Sequence, residues 1–144
     1  MLVDKPSGVT SHDVVDVVRR SLRTRKVGHA GTLDPMATGL LILGVGRATR
    51  LLRYLGNLSK SYAATGRLGE ETDTLDADGQ IVRSASVDVS RAEIEGACAA
   101  LVGDSLQTPP AYSAVKVGGR KLYEAARKGD ALEAPARRIR VDAF

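Results

Sequence analysis

Short apolar runs, punctuated by glycine, proline and aspartate, set the plan of this chain. Met1 to Val3 reads as the start of a strand, stopped by the turn chemistry of Asp4-Lys-Pro-Ser-Gly8. Ser11 suits a helix N-cap and Asp13 its first turn; Val14, Val15, Val18 and Leu22 then recur at helical spacing. Arg19, Arg20, Arg23, Arg25 and Lys26 close that helix, where cations complement the dipole. The run Leu40 to Leu43 reads as a buried strand, and Arg47 to Leu55 as a short basic helix with Leu51, Leu52 and Leu55 inward.

Further along, Ser61 to Leu68 reads as a strand with Tyr62, Ala64, Gly66 and Leu68 on one face. Gly69 to Gly79, rich in Asp and Thr, reads as a turn or loop without regular structure. Ser90-Arg-Ala-Glu93 is a capping box ahead of a helix whose stripe is Ile94, Ala97, Cys98 and Leu101, with Gly103 at its C-terminal end. Its place on that stripe makes Cys98 a packed core residue rather than a nucleophile. Thr108 to Val117 reads as extended, Gly118-Gly119 as a tight turn, and Lys121 to Lys128 as a basic helix ended by Gly129. Arg137 to Phe144 alternates like a strand.

One stretch organises the rest. Gly28 to Gly46 begins with small residues around His29, Thr32 and Asp34 and runs into the apolar strand. Pro35 pushes Asp34 toward an extended or turn conformation, and glycines at 28, 31 and 39 permit close approach of another backbone or a ligand. Asp34 is the only acidic residue between Asp16 and Glu70. A single carboxylate on a tight loop against an apolar strand is where chemistry is expected.

Composition narrows the possibilities. The length suits one domain with a proper core, 43% of the residues are hydrophobic, and no window is long and apolar enough for a transmembrane helix. The N-terminus lacks a secretory pattern, so a cytoplasmic, soluble protein is the expectation. One cysteine rules out an internal disulfide, and with two histidines the usual zinc spacings are missing. The acidic loop lacks the EF-hand spacing, and Gly44-Val-Gly46 lacks the third glycine of a dinucleotide fingerprint. Charge is unevenly spread: residues 1–60 carry +6, residues 61–110 carry −6 and residues 111–144 carry +4. Two basic segments flanking an acidic one suggest a face for a polyanion, while 3% aromatic content argues against a broad base-stacking platform.

The motifs are similar to those of one family. Gly28-His-Ala-Gly-Thr-Leu-Asp-Pro-Met-Ala-Thr-Gly-Leu-Leu41 resembles the catalytic motif of TruB-type pseudouridine synthases, which isomerise a uridine in the tRNA T arm. Asp4-Lys-Pro-Ser-Gly-Val-Thr-Ser11 resembles the family's opening motif, Lys60-Ser-Tyr62 its Lys-x-Tyr strand, and Thr72-Asp-Thr-Leu-Asp-Ala-Asp-Gly79 its acidic loop. Pro109-Pro-Ala-Tyr-Ser-Ala-Val-Lys116, with Gly119 to Arg127, resembles a further signature. The resemblance implies an α+β fold: a mixed, mainly antiparallel sheet with flanking helices, without metal or cofactor. It makes Asp34 the nucleophile and Tyr62 the residue that stacks on the target base and takes the C5 proton. It places His29 with the flipped-out RNA, puts Gly28 and Thr32 on the substrate side, and gives Lys5 structural support first and an RNA contact second. The implied partner is the T-arm stem-loop of tRNA, with no membrane and no obligatory protein partner.

The family also carries a later arginine that pairs with the catalytic carboxylate, and a C-terminal RNA-binding domain. Residues 1–144 are therefore expected to be the N-terminal portion of a catalytic domain, strongly impaired alone, with Asp34 in a partly apolar pocket. A non-catalytic RNA-binding module that keeps the basic face is the competing reading, and it predicts that Asp34→Asn changes nothing.

Overall fold

The N-terminal strand and the strand after the glycine-rich loop find each other first in the architecture. Strand β1 (Leu2–Lys5) pairs antiparallel with β3 (Gly39–Val45), Lys5 opposite Gly39 and Leu2 opposite Ile42. Strand β2 (Val27–His29) takes the other edge of β3, His29 opposite Leu43, so the sheet order is β1-β3-β2. Helix α1 (Ser11–Ser21) connects β1 to β2. Its valines Val14, Val15 and Val18 are buried with Val27, Leu41 and Leu43, and Val3, Val9, Leu33 and Val45 pack around them. After β3 the chain turns through a 3-10 helix (Gly46–Leu51) into α2 (Leu52–Leu55). Where a Cβ on Gly44 would sit, the Ala48 carbonyl oxygen, Leu52 Cγ and Thr49 Cα are each 3.0 Å away; only glycine lets this turn lie on the sheet.

This computed structural model describes residues 1–110, 113, 115–126, 129–130 and 134–144. It divides into two compact units, Met1–Ala64 and Thr65–Phe144. Among the described residues the second unit holds three antiparallel strand pairs and two helices. Strands β4 (Glu70–Thr72) and β5 (Ile81–Ser84) form one pair. Helix α3 (Arg91–Ala99) precedes β6 (Gly103–Gln107), which pairs with β9 (Arg137–Val141). Strands β7 (Lys116–Val117) and β8 (Arg120–Lys121) are joined by Gly118 and Gly119, both at positive φ, and lead into α4 (Leu122–Ala126). The architecture is α+β with small antiparallel sheets, as the family resemblance implies.

Several elements depart from the pattern. Thr10, not Ser11, caps α1, because the Ser11 hydroxyl is used elsewhere. The run Leu40 to Leu43 is only half buried: α1 covers one face of the sheet, so Leu41 and Leu43 are enclosed while Leu40 is exposed. Leu51 is exposed as well, since the basic segment opens as a 3-10 helix that turns it outward. Residues 61–67 form no strand, and no strand among the described residues pairs with them. Glu70–Thr72 does form one. The aspartates that follow serve as turn acceptors, Asp73 Oδ1 from the Gln80 amide at 2.8 Å and Asp76 Oδ1 from the Asp78 amide at 3.0 Å.

In α3 the stripe is less covered than its spacing implies: Ile94 and Leu101 are exposed, and Cys98 is half-buried rather than part of a core. Gly103 takes its positive φ at the start of β6 and does not cap the helix. The last strand stops at Val141. Of the extended Thr108–Val117 segment, Ala111, Tyr112 and Ala114 lie outside the described residues, as do Arg127 and Lys128 of the helix expected to end at Gly129.

Both longer helices are closed by capping boxes. The Thr10 hydroxyl and amide donate to Asp13 Oδ2 at 2.6 and 2.8 Å, and those of Ser90 donate to Glu93 Oε2 at 2.7 and 2.8 Å. The Thr10 hydroxyl, then its amide, hold the Asp13 carboxyl below its usual range; the Ser90 amide, then its hydroxyl, do the same for Glu93. Lowered folded-state values stabilise above the unfolded value, and that contribution is lost as pH falls through the folded one. Asp13→Asn and Glu93→Gln are therefore expected to lower the urea midpoint at neutral pH, with an effect that shrinks as the pH falls through the lowered carboxyl range. Urea titrations of each variant from neutral pH down through that range check this.

Candidate active site

The loop between β2 and β3 carries Asp34, and the opening segment of the chain grips it on either side of that residue. Ser11 Oγ donates to the Leu33 carbonyl at 3.2 Å and accepts from the Leu33 amide at 2.9 Å. The Pro35 carbonyl accepts from the Gly8 amide at 2.8 Å and from Lys5 Nζ at 3.2 Å. Between these clamps the Asp34 carbonyl accepts from the Ala37 amide at 3.1 Å, closing a turn with Pro35 after Asp34. Gly39, at φ +121°, then delivers the chain into β3 opposite Lys5.

Lys5 is the keystone. It is fully buried, and Nζ donates to the carbonyls of Pro6 (3.0 Å), Val9 (2.7 Å) and Pro35 (3.2 Å). An ammonium has three donors, and all three are used. The lysine thus ties the two sequence motifs into one device. With all three donors satisfied inside the chain, none is left for an external ligand.

The Asp34 side chain points the other way in chemical terms. It is exposed rather than set in an apolar pocket, and no ion pair or hydrogen bond to its carboxylate forms among the described residues. A carboxylate whose backbone neighbours are clamped while its oxygens stay open is presented for attack without the entropy of a mobile loop.

His29 ends β2, half-buried, with Nδ1 2.6 Å from the Gly31 carbonyl. A carbonyl only accepts, so Nδ1 carries a proton in this contact. The ring of His12 meets it edge-on, with centroids 6.2 Å apart at 89°. Gly28 pairs with Gly44, and Leu52 Cδ1 would lie 3.2 Å from a Cβ there, so Gly28 serves packing beneath the loop; Thr32 is exposed on it.

Tyr62 is 75% exposed in the irregular stretch after α2. No hydrogen bond joins it to Asp34 or His29 among the described residues. What reaches the loop from that stretch is Lys60, whose Cε is 4.0 Å from the Cβ position of Gly31 and whose Nζ donates to the carbonyls of Gly56 and Leu58. Pattern reasoning named Ser11 only as a helix cap and in the opening motif and Lys60 only within the Lys-x-Tyr motif, and it gave none of Ser11, His12 and Lys60 a place beside the Asp34 loop. Ser11 was hidden by its resemblance to a cap, and the other two reveal themselves only through contacts between segments distant in sequence. No three His, Cys, Asp or Glu side chains converge as metal ligands among the described residues.

Comparison with known proteins fits this geometry. The profile of the TruB family pseudouridylate synthase (N terminal domain) matches residues 19–144. The tRNA pseudouridine synthase B of Mycobacterium avium (strain 104) is 53% identical over the whole chain, which spans 47% of that relative. The enzyme of the same name from Opitutus terrae is 52% identical, again over the whole chain, which covers 60% of it. Among solved structures, a chain in a crystal structure of a Cbf5-Nop10-Gar1 complex superposes with a TM-score of 0.53 at 28% identity, covering 80% of this chain and 30% of that one. The chain spans roughly half the length of the curated relatives it matches. With Asp34 clamped in the loop that the profile match includes, the chain belongs to the TruB family of pseudouridylate synthases, a family of isomerases.

Proposed function

We propose that this chain supplies the catalytic loop of a cytoplasmic tRNA pseudouridine synthase acting on the T-arm uridine at position 55, with Asp34 as its nucleophile. One observation carries the reading: in a chain 53% identical to a tRNA pseudouridine synthase B, Asp34 is held by clamps on both neighbours with its carboxylate open. Residues 1–144 act as the N-terminal part of the catalytic domain.

Uridine and pseudouridine are isomers. The N1–C1′ bond breaks, the uracil turns, C5 bonds to C1′, the C5 proton leaves and N1 gains one. Asp34 serves by attack on the base or on C1′, or by elimination at the sugar. The base must first leave its stack, at a cost on the order of a few kcal/mol. His29 and Thr32 stand on the loop that receives the flipped nucleotide, and Tyr62 stacks on the base and takes the C5 proton. Lys5 and Gly28 act beneath this surface.

Tritium release from C5-labelled uridine in a T-arm stem-loop tests the assignment. The chain is assayed as it stands and joined to the C-terminal half of the Mycobacterium avium relative, each with and without Asp34→Asn. Release by the joined protein that vanishes with Asp34→Asn supports the synthase. RNA binding without release from either protein would replace it with a non-catalytic RNA-binding module.

A further inference from the structure

The C-terminal end of α1 carries more charge than the helix itself can use. Arg19, Arg20, Arg23, Thr24 and Arg25 line an open depression of about 440 Å³. The helix there is already closed by its own backbone: the Arg23 amide donates to the Arg20 carbonyl at 3.3 Å and the Thr24 amide to the Arg19 carbonyl at 3.1 Å. This is a Schellman closure, in which glycine is the usual residue at the left-handed position. Here that residue is Arg23, at φ +48°. A side chain in that conformation is strained, and strain retained at a surface position points to a use for the side chain.

The neighbours do not absorb the charge. Arg19 is engaged, with Nη1 2.9 Å from Asp16 and Nη2 donating to the Val27 carbonyl at 3.0 Å. Arg20, Arg23 and Arg25 are exposed, and none forms an ion pair among the described residues. The helix dipole favours cations at this end, yet its field does not require three guanidinium groups around one hollow. Thr24 Oγ1 accepts from the Lys26 amide at 3.4 Å, so its hydroxyl hydrogen is free to donate into the same space.

We propose that Arg20, Arg23 and Arg25, with the Thr24 hydroxyl, form a subsite for RNA backbone phosphates, distinct from the loop that receives the base; the proposal rests on the reading that the chain acts on RNA. Guanidinium groups match phosphate oxygens in pairs and carry no base information, so the subsite positions the RNA without reading its sequence. Its place fits a stem flanking the target. Ser11, at the N-terminal end of α1, grips the Asp34 loop, and eleven residues of helix put the arginines roughly 16 Å away along its axis. The phosphates bound there belong to nucleotides several positions from the flipped uridine.

The test is fluorescence anisotropy of a labelled T-arm stem-loop with the chain, titrated over a range of KCl concentrations. Arg23→Gly keeps the left-handed backbone while removing the guanidinium. Its melting temperature is expected to equal or exceed that of the parent, while RNA affinity falls about fivefold to tenfold near 0.1 M salt and the slope of log K against log salt flattens by about 0.7–0.9. The Arg20→Gln, Arg25→Gln pair flattens the slope by about twice as much. Arg91→Gln, a charge-matched change at a residue paired with Glu95, leaves both unchanged. Parent-like slopes in the Arg20, Arg23 and Arg25 variants would overturn the subsite alone. Failure of the parent chain to bind RNA at all would overturn the RNA reading and the subsite with it.

Discussion

Asp34→Asn is expected to reduce uridine isomerisation at least about a thousandfold, or about 4 kcal/mol of transition-state stabilisation, with almost no change in folding. The size follows from the proposed role of Asp34: a neutral amide of the same shape cannot act as a nucleophile. The indifference of the fold follows from the loop. Its clamps act on Leu33 and Pro35, and among the described residues the only hydrogen bond at residue 34 is the one its backbone carbonyl accepts from the Ala37 amide. Asparagine is as well suited to the first position of such a turn as aspartate. Thermal melts by circular dichroism beside the tritium-release assay separate the two effects. A large drop in melting temperature would mean that the carboxylate carries a structural load absent from this geometry.

Lys5→Met should behave in the opposite way. Methionine fills nearly the same volume but leaves the Pro6 and Val9 carbonyls without the ammonium, while Pro35 keeps only the Gly8 amide. Orphaning these part-buried acceptors of a charged donor should cost about 3 kcal/mol. For a unit of this size the melting temperature then falls by more than about 10 °C. Isomerisation falls too, because the loop around Asp34 loses a clamp. Lys5→Arg should not restore stability, since a planar fork cannot aim three donors at carbonyls set around a point charge. A melt within a few degrees of the parent for Lys5→Met would show that the carbonyls find water instead.

Much of this was readable from residue order. The valine stripe of α1, the capping box of α3, the glycine pair between β7 and β8 and the apolar strand behind the Asp34 loop all follow from spacing and local chemistry. Local signals misled where tertiary partners decide. Ser11 looks like a cap, yet Thr10 caps equally well from one residue earlier and frees Ser11 for Leu33. Residues 61–68 alternate like a strand, but no strand among the described residues pairs with them, and alternation alone does not supply the missing ladder. Lys5 stands out in the opening motif, whereas its enclosure by three carbonyls depends on the Asp34 loop thirty residues away. Charge along the chain foretold a basic region, but not that a strained arginine would stand at its centre.

The enclosure of Lys5 also makes its amine a clock for the opening of this region. An amine-reactive reagent must meet an uncharged, accessible nitrogen, and here the nitrogen is walled in by carbonyl oxygens beneath the surface. Lys26 and Lys60 lie exposed and will be modified at ordinary surface rates. Lys5 will be modified only through openings that separate β1 from the catalytic loop. Its labelling rate, read peptide by peptide in a mass spectrometer, therefore measures how often the support beneath Asp34 comes apart, and RNA that holds the loop closed should slow it.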